Sequence, residues 1–269
     1  ILNGWGLFVE SMAVIQPIVN LVDLFAQHGL THAVICPGSR SAALTLAFAR
    51  HKAITTIVSI DERSAGFIAL GLALELRRPV AVVCTSGTAA YNFAPAVAEA
   101  YFQQTPLLVL TADRPQEWVH QQDGQTIYQA GLFGKNVKKS FELPSDTTHP
   151  DSAWYANRIA NDVFLSADTF PKGPVHLNVP VREPFYPSPG EVWMPDPANR
   201  LIGRLEPRYT LAIENWHMLQ EEWEETDRIL IAAGQGMFSQ EIHETLSRIT
   251  EEWEIPVIGD ITAKLGNHP

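Results

Sequence analysis

Four short segments of this sequence concentrate the side chains that could do chemistry: CPGSRS (36–41), IDERS (60–64), CTSGT (84–88) and TADRP (111–115). Arg40 and Arg114 each offer a planar guanidinium fork that grips a carboxylate or phosphate with paired N–H donors. In PGSRS, backbone N–H groups at a helix start could cradle an anion beside Arg40. The same residues also suit a plainer role, with Ser39 or Ser41 capping a helix and Arg40 solvated. CTSGT carries the same ambiguity, because Thr85 and Ser86 are ordinary cap residues and Gly87 an ordinary tight-turn residue.

IDERS poses a different problem. Acids in a first helical turn are stabilised by the helix dipole, and Asp is a good N-cap, which accounts for Asp61 in full. The helix that follows, AGFIALGLALEL (65–76), shows almost no polar face until Glu75. A helix apolar all round has to be covered by other protein on every side. A first-turn carboxylate such as Glu62 would then sit in a low-dielectric place, which suits proton transfer.

These segments are positioned by a repeating rhythm. Short apolar runs, HAVIC (32–36), TTIVSI (55–60), VAVVC (80–84) and LLVLT (107–111), read as strands, and each ends at one of the four segments or just before it. Helices are expected over about 16–28, 41–51, 62–77, 88–103 and 152–167, and GPVHLNVP (173–180) adds a strand. Continuous Val/Ile/Leu runs alternating with helices predict an α/β fold, a doubly wound parallel sheet covered on both faces. In such sheets ligands bind outside the carboxyl ends of the strands, so the four segments should share one rim.

The chain has 269 residues, 46% hydrophobic and 18% charged, as expected of an ordinary soluble globular protein. A formal net charge of −11 disfavours a nucleic-acid partner, whose affinity rests on Lys and Arg displacing counterions. No apolar run reaches the ~18 residues of a membrane span, and no secretory signal is visible. Cys36 and Cys84 lie in apolar runs without CxxC spacing and read as two buried thiols in a reducing cytoplasm. The nine His show no paired metal spacing.

From Pro184 to Pro197 five prolines in fourteen residues mark a linker. The expected organisation is an upstream tail over 1–11, a first domain over 12–183, a linker over 184–204 and an incomplete second α/β domain over 205–269. The second domain is expected to hold helices near 210–224 and 239–253 and strands RILIAA (228–233) and PVIGD, too few for a complete sheet. Its AAGQGMFS (232–239) imitates a dinucleotide fingerprint but ends in Ser where a third Gly or Ala belongs, a weak match.

The stretches CPGSRSAALTLAF, SIDERSAGFIALGLAL, CTSGTAAYNFAPAVAEA and LTADRP, in this order over about residues 14–183, resemble the pyrimidine-binding domain of thiamine-diphosphate enzymes. Within these they resemble the 2-succinyl-5-enolpyruvyl-6-hydroxy-3-cyclohexene-1-carboxylate synthase family of menaquinone biosynthesis. The resemblance implies thiamine diphosphate as cofactor, bound around Pro37, Glu62, Thr85 and Gly87. Glu62 falls on the family's catalytic glutamate, which hydrogen-bonds the aminopyrimidine ring and promotes loss of the thiazolium C2 proton. Ser39, Arg40, Arg114 and Gln125 fall on substrate-binding positions for 2-oxoglutarate and isochorismate. The resemblance also implies a homo-oligomer, dimer or tetramer, with the active site at a subunit interface that covers the apolar helix.

Two departures stand out. Gly124 occupies a place where the family commonly carries Asn, so only Gln125 of that pair carries over. The family's Gly-Asp-Gly motif for Mg²⁺ and the diphosphate is also not matched: Gly259-Asp260 is followed by Ile261, and nine residues remain. The chain is therefore expected to lack the diphosphate-binding domain, to hold half of an active site and to be inactive alone. Competing readings are an acetolactate synthase-like 2-oxo-acid enzyme and a non-catalytic regulatory binding domain.

Overall fold

The computed structural model describes residues 16–183, 186, 193–205, 210–236, 239–263 and 265. The expected tail over 1–11 lies outside them. The described residues fall into two compact units that divide after Arg204.

The first unit is a six-stranded sheet. Its elements are α1 (Gln16–Gln27), β1 (His32–Ile35), α2 (Ala42–Arg50), β2 (Thr55–Val58), α3 (Glu62–Leu76), β3 (Val80–Cys84), α4 (Ala94–Phe102), β4 (Leu107–Asp113), β5 (Lys139–Glu142), α5 (Pro150–Asp168) and β6 (Val175–Pro180). The strand order is β2-β1-β3-β4-β6-β5. Every pairing is parallel, with Ala33 opposite Thr56 and Ala81, and Leu110 opposite Val83 and Leu177. The central strands β3 and β4 are buried along their whole length, which is why they read as unbroken apolar runs. β5, KSFE, escapes that criterion because it is an edge strand with mostly exposed side chains.

Strand residues alternate between two cores. Ile35, Leu108, Leu110 and Leu177 pack with Phe25, Phe48 and Phe164 of α1, α2 and α5. Val34, Val82 and Val109 pack on the other face with Ala65, Ala69 and Ala73 of α3 and Val97 of α4. α3 approaches α4 closely through small residues, and a Cβ on Gly66 would lie 2.9 Å from that of Ala96. The chain runs from β1 outward to β2, then crosses through α3 to β3 on the other side of β1. That reversal opens a switch point between the carboxyl ends of β1 and β3, where CPGSRS and CTSGT emerge.

One expectation needs correction. The helix expected over 88–103 is split: Gly87–Phe93 winds as a 3₁₀ turn and the α-helix begins at Ala94. Pro95 has no N–H to give, which an α-helix tolerates in its first turn and not in its interior, so the α-helix starts at Ala94. The apolar helix α3, expected to be covered by a subunit contact, leaves Phe67 44% and Ile68 40% exposed within the chain.

The segment read as a linker is anchored where it is described. Gln16 Nε2 donates to Met194 O at 2.8 Å, Asp196 N to Asn20 Oδ1 at 2.9 Å and Ile202 N to Asn161 Oδ1 at 2.8 Å. The second unit holds α6 (Ile213–Glu225), β7 (Ile231–Ala233), α7 (Gln240–Trp253) and β8 (Val257–Gly259), with β7 and β8 parallel. Of AAGQGMFS, residues 237 and 238 lie outside the described set, and Ser239 caps α7 by accepting from Ile242 N at 3.3 Å. Among the described residues no helix is long and apolar enough to cross a membrane.

Candidate functional site

The strand ends come together as the parallel topology requires. At the end of β1, Cys36 N donates to Val83 O at 2.8 Å, and Pro37 and Gly38 turn the chain towards α2. Gly38 is pressed against the end of β3, where a Cβ would lie 2.4 Å from Thr85 Cβ. Only a residue without a side chain allows the two turns to meet this way. Gly38→Ala should therefore force them apart and lower stability by about 1–3 kcal/mol, the usual cost of overpacking. Thermal melting checks this, and an unchanged midpoint would mean the turns have room.

Neither Ser41 nor Ser86 plays the capping role considered for these turns. Ser41 sits at the N-cap of α2 but makes no side-chain cap bond, and its hydroxyl donates back to Gly38 O at 3.1 Å. Ser86 likewise caps nothing, and its hydroxyl accepts from Arg114 Nη1 at 2.7 Å. Ser39 and Pro37 are exposed, Thr85 is buried, and Arg40 is partly buried with Nη1 donating to Val181 O at 2.9 Å. Burial and the neighbouring Arg114 guanidinium push the Arg40 pKa below its usual value. Two cations held near each other make a place for an anion.

Asp61 is the N-cap of α3, its carboxylate accepting from Ser64 N at 2.7 Å. Glu62 is thereby left in the first turn with its side chain uncommitted to capping. It is partly buried, and its charge is felt by both free, buried cysteines. Burial first, then Glu62, push Cys36 up to about 12, and burial with Cys36 and Glu62 raises Cys84. These inert thiols line the floor of the strand ends beside the carboxylate.

Arg114 organises the far side. Its backbone N donates to Asp113 Oδ1 at 2.8 Å, its Nη1 donates to Gln125 O at 2.9 Å, and its Nε pairs with Asp123. Gln125 thus contributes its carbonyl, and its side chain is exposed. Gly87, at φ +88°, packs on Gln125, with a Cβ position 3.0 Å from that carbonyl oxygen. No atom lies within 4 Å of a Cβ on Gly124, so a larger side chain would meet open space there.

Beneath this rim runs a buried polar ladder that reading strand ends alone misses. Gln129 takes the Gly87 N–H on Oε1 at 2.8 Å and donates from Nε2 to Ala112 O and Asn178 Oδ1 at 2.9 and 3.1 Å. Asn178 Nδ2 donates to Asp113 Oδ2 and Glu142 Oε2, both at 2.9 Å. The Thr111 hydroxyl donates to Asn178 Oδ1 at 3.1 Å and so accepts from His176 Nε2–H at 2.8 Å. Burial pushes His176 down to about 4, keeping the ring neutral, while burial raises Asp113 against its bonds from Asn178 and Arg114 N. A signal was available in sequence: Thr111 and Asp113, like His176 and Asn178, alternate with apolar residues at period two, so they share one sheet face.

A cleft of about 400 Å³ opens beside β4, lined by Asp113, Arg114, His120, Tyr128, Gln129 and Glu142. A second, of about 350 Å³, lies between α1 and α5, lined by Gln16, Asn20, Thr147, Ala153 and Asn157. Among the described residues no three His, Cys, Asp or Glu side chains are grouped to hold a metal ion.

The chain matches the family described as thiamine pyrophosphate enzyme, N-terminal TPP binding domain, over residues 20–132. It is 42% identical over 250 residues to the 2-succinyl-5-enolpyruvyl-6-hydroxy-3-cyclohexene-1-carboxylate synthase of Cytophaga hutchinsonii, covering 93% of this chain and 44% of that protein. It is 51% identical over 169 residues to the synthase of the same name from Bacteroides fragilis, covering 63% of this chain and 30% of that protein. For that of Desulfotalea psychrophila the identity is 40% over 254 residues, covering 93% of this chain and 46% of that protein. The chain thus spans less than half the length of each of these relatives. The meeting of CPGSRS, CTSGT and TADRP at the carboxyl ends of one sheet is the fold's side of the same likeness: the chain is similar to the N-terminal TPP binding domain of thiamine pyrophosphate enzymes and to part of each of these synthases.

Proposed function

We propose that the whole protein decarboxylates 2-oxoglutarate and joins the remaining succinyl unit to isochorismate, a transferase step of menaquinone biosynthesis in the cytoplasm. The observation that carries this is the pair of guanidiniums, Arg40 and Arg114, held near each other at the same strand ends as Glu62. Both substrates are dianions, and a guanidinium fork suits a carboxylate better than any other side chain.

The described residues fit the pyrimidine half of the cofactor. Gly38 lets the first turn close on Thr85, Gly87 at positive φ packs closely on the Gln125 carbonyl, and Glu62 offers a carboxyl group at the helix start. When bound, thiamine diphosphate supplies the carbon nucleophile and electron sink for 2-oxo-acid decarboxylation. Protonated, Glu62 would donate a hydrogen bond to the ring nitrogen of the aminopyrimidine, and as a carboxylate it would accept one from the protonated ring. Pro37, Thr85 and Gly87 would shape the ring's slot, and Ser39, Arg40, Arg114 and Gln125 would orient the substrates. Mg²⁺ and the diphosphate would be held by residues other than these.

A homo-oligomer with the site at its interface follows from the same surface. Ile60, two residues before Glu62, is 87% exposed, and Phe67 and Ile68 of α3 and Tyr101 and Phe102 of α4 are exposed as well. Large apolar side chains left open near the start of α3 suit a protein contact, and covering them would exclude water from Glu62. The test is the full-length protein with thiamine diphosphate and Mg²⁺. It should elute as an oligomer on sizing and release CO₂ from 2-oxoglutarate with consumption of isochorismate. Turnover of pyruvate with 2-oxoglutarate inert would overturn the assignment.

A further inference from the structure

We infer that Asp123 is an internal carboxylate that occupies the substrate-binding face of Arg114, so that its displacement sets the affinity and charge requirement of the anion site. The inference rests on the reading of Arg40 and Arg114 as a carboxylate clamp and deepens it.

The observations are local and specific. Arg114 is only 11% exposed, and two of its directions are taken by fixed scaffold partners, the Ser86 hydroxyl and the Gln125 carbonyl. Its Nε instead points to the Asp123 carboxylate, a side chain 39% exposed and so reachable by solvent and solutes. Arg40 lies within electrostatic reach of both Arg114 and Asp123, together with Glu183 and Asp113. Asp113, by contrast, is committed to Asn178 and to the Arg114 backbone N–H. Asp123 is therefore the one carboxylate among these that both pairs with the guanidinium side chain and sits on a surface loop. That loop is bent by three non-glycine residues in the left-handed region, His120, Gln122 and Gln125 at φ 63°, 61° and 60°. Its far end is fixed by Gln129 to Gly87 N and Ala112 O. The bends thus bring Asp123 back onto a residue nine positions earlier.

A tethered carboxylate competes at an effective concentration in the millimolar range for a short flexible connection, comparable to a small dicarboxylate in solution. The apparent dissociation constant of an anion is raised by the reciprocal of the fraction of protein in which the guanidinium is available. A weak anion loses that competition, whereas a dianion that also engages Arg40 gains a second contact and can win it.

The test is calorimetric binding of glutarate, a dicarboxylate with no 2-oxo group to react, to the full-length protein loaded with thiamine diphosphate and Mg²⁺. Asp123→Asn should tighten binding by roughly threefold to tenfold, and Asp123→Glu should restore the weaker affinity. If Asp123 only props Arg114 in place, Asp123→Asn would weaken binding or leave it unchanged. That result, with Arg114→Ala still weakening binding, would overturn the competition and leave the clamp standing. Unchanged binding in Arg114→Ala would instead overturn the clamp, and the competition with it.

Discussion

Glu62→Gln in the full-length protein should slow the chemical step by roughly 10²–10⁴, the scale of a lost proton-transfer group, while the fold stays intact. The structure separates the two acids of this turn. Asp61 takes the capping bond from Ser64 N, so the start of α3 does not depend on Glu62. Gln keeps the length and the planar shape of Glu and removes only the charge and the ability to hold a proton at the carboxylate. Single-turnover measurement of CO₂ release isolates the step, and melting of the variant checks the fold. A near-normal rate constant would remove Glu62 from cofactor activation. The paired control is Asp61→Ala, which should lower the melting temperature through the lost cap while leaving the single-turnover rate far above that of Glu62→Gln.

The cap was legible in sequence, since an Asp before an apolar helix reads as one and Asp61 is one. The role proposed for Glu62 came from the family resemblance. The sheet was equally legible, since strands buried on both faces must be continuous apolar runs, as VAVVC and LLVLT are. β5 was not, because KSFE gains its strand geometry from pairing with β6 and not from its own composition. The polar ladder of Thr111, Asp113, Gln129, His176 and Asn178 was missed for a related reason. A polar residue in an apolar strand signals a partner, and the partner lies elsewhere in the chain: Asn178 meets Asp113 across 65 positions. The loop from Val119 to Gln129 was least legible of all. Of its left-handed residues His120, Gln122 and Gln125, the two Gln are of a type without a strong preference for that region. Their conformation is dictated by anchors at Arg114 and Gln129, so only the assembled site explains it.

Arg114→Ala in the full-length protein should weaken carboxylate binding by roughly tenfold to a hundredfold, since charge-assisted hydrogen bonds of about 1.5–3 kcal/mol are lost. The effect should exceed that of removing a surface cation, because this guanidinium is nearly enclosed and its partners hold it in one orientation. Ser86 and Gln125 receive its donors from two different segments, CTSGT and the loop after TADRP, so its removal also unties the loop from the 3₁₀ turn. Gln129, bonded independently to Gly87 N, should keep the loop's far end in place, which predicts a defect in affinity larger than any in stability. Arg114→Lys tests the geometry. A single ammonium carries the charge but cannot address Ser86, Gln125 and an anion as a planar fork does, so Lys should recover only part of the lost affinity. Full recovery would mean that charge alone matters and that the fork's aim, set by Ser86 and Gln125, contributes nothing. Unchanged affinity in Arg114→Ala would place the substrate carboxylates elsewhere and leave Arg114 a structural tie between the two turns.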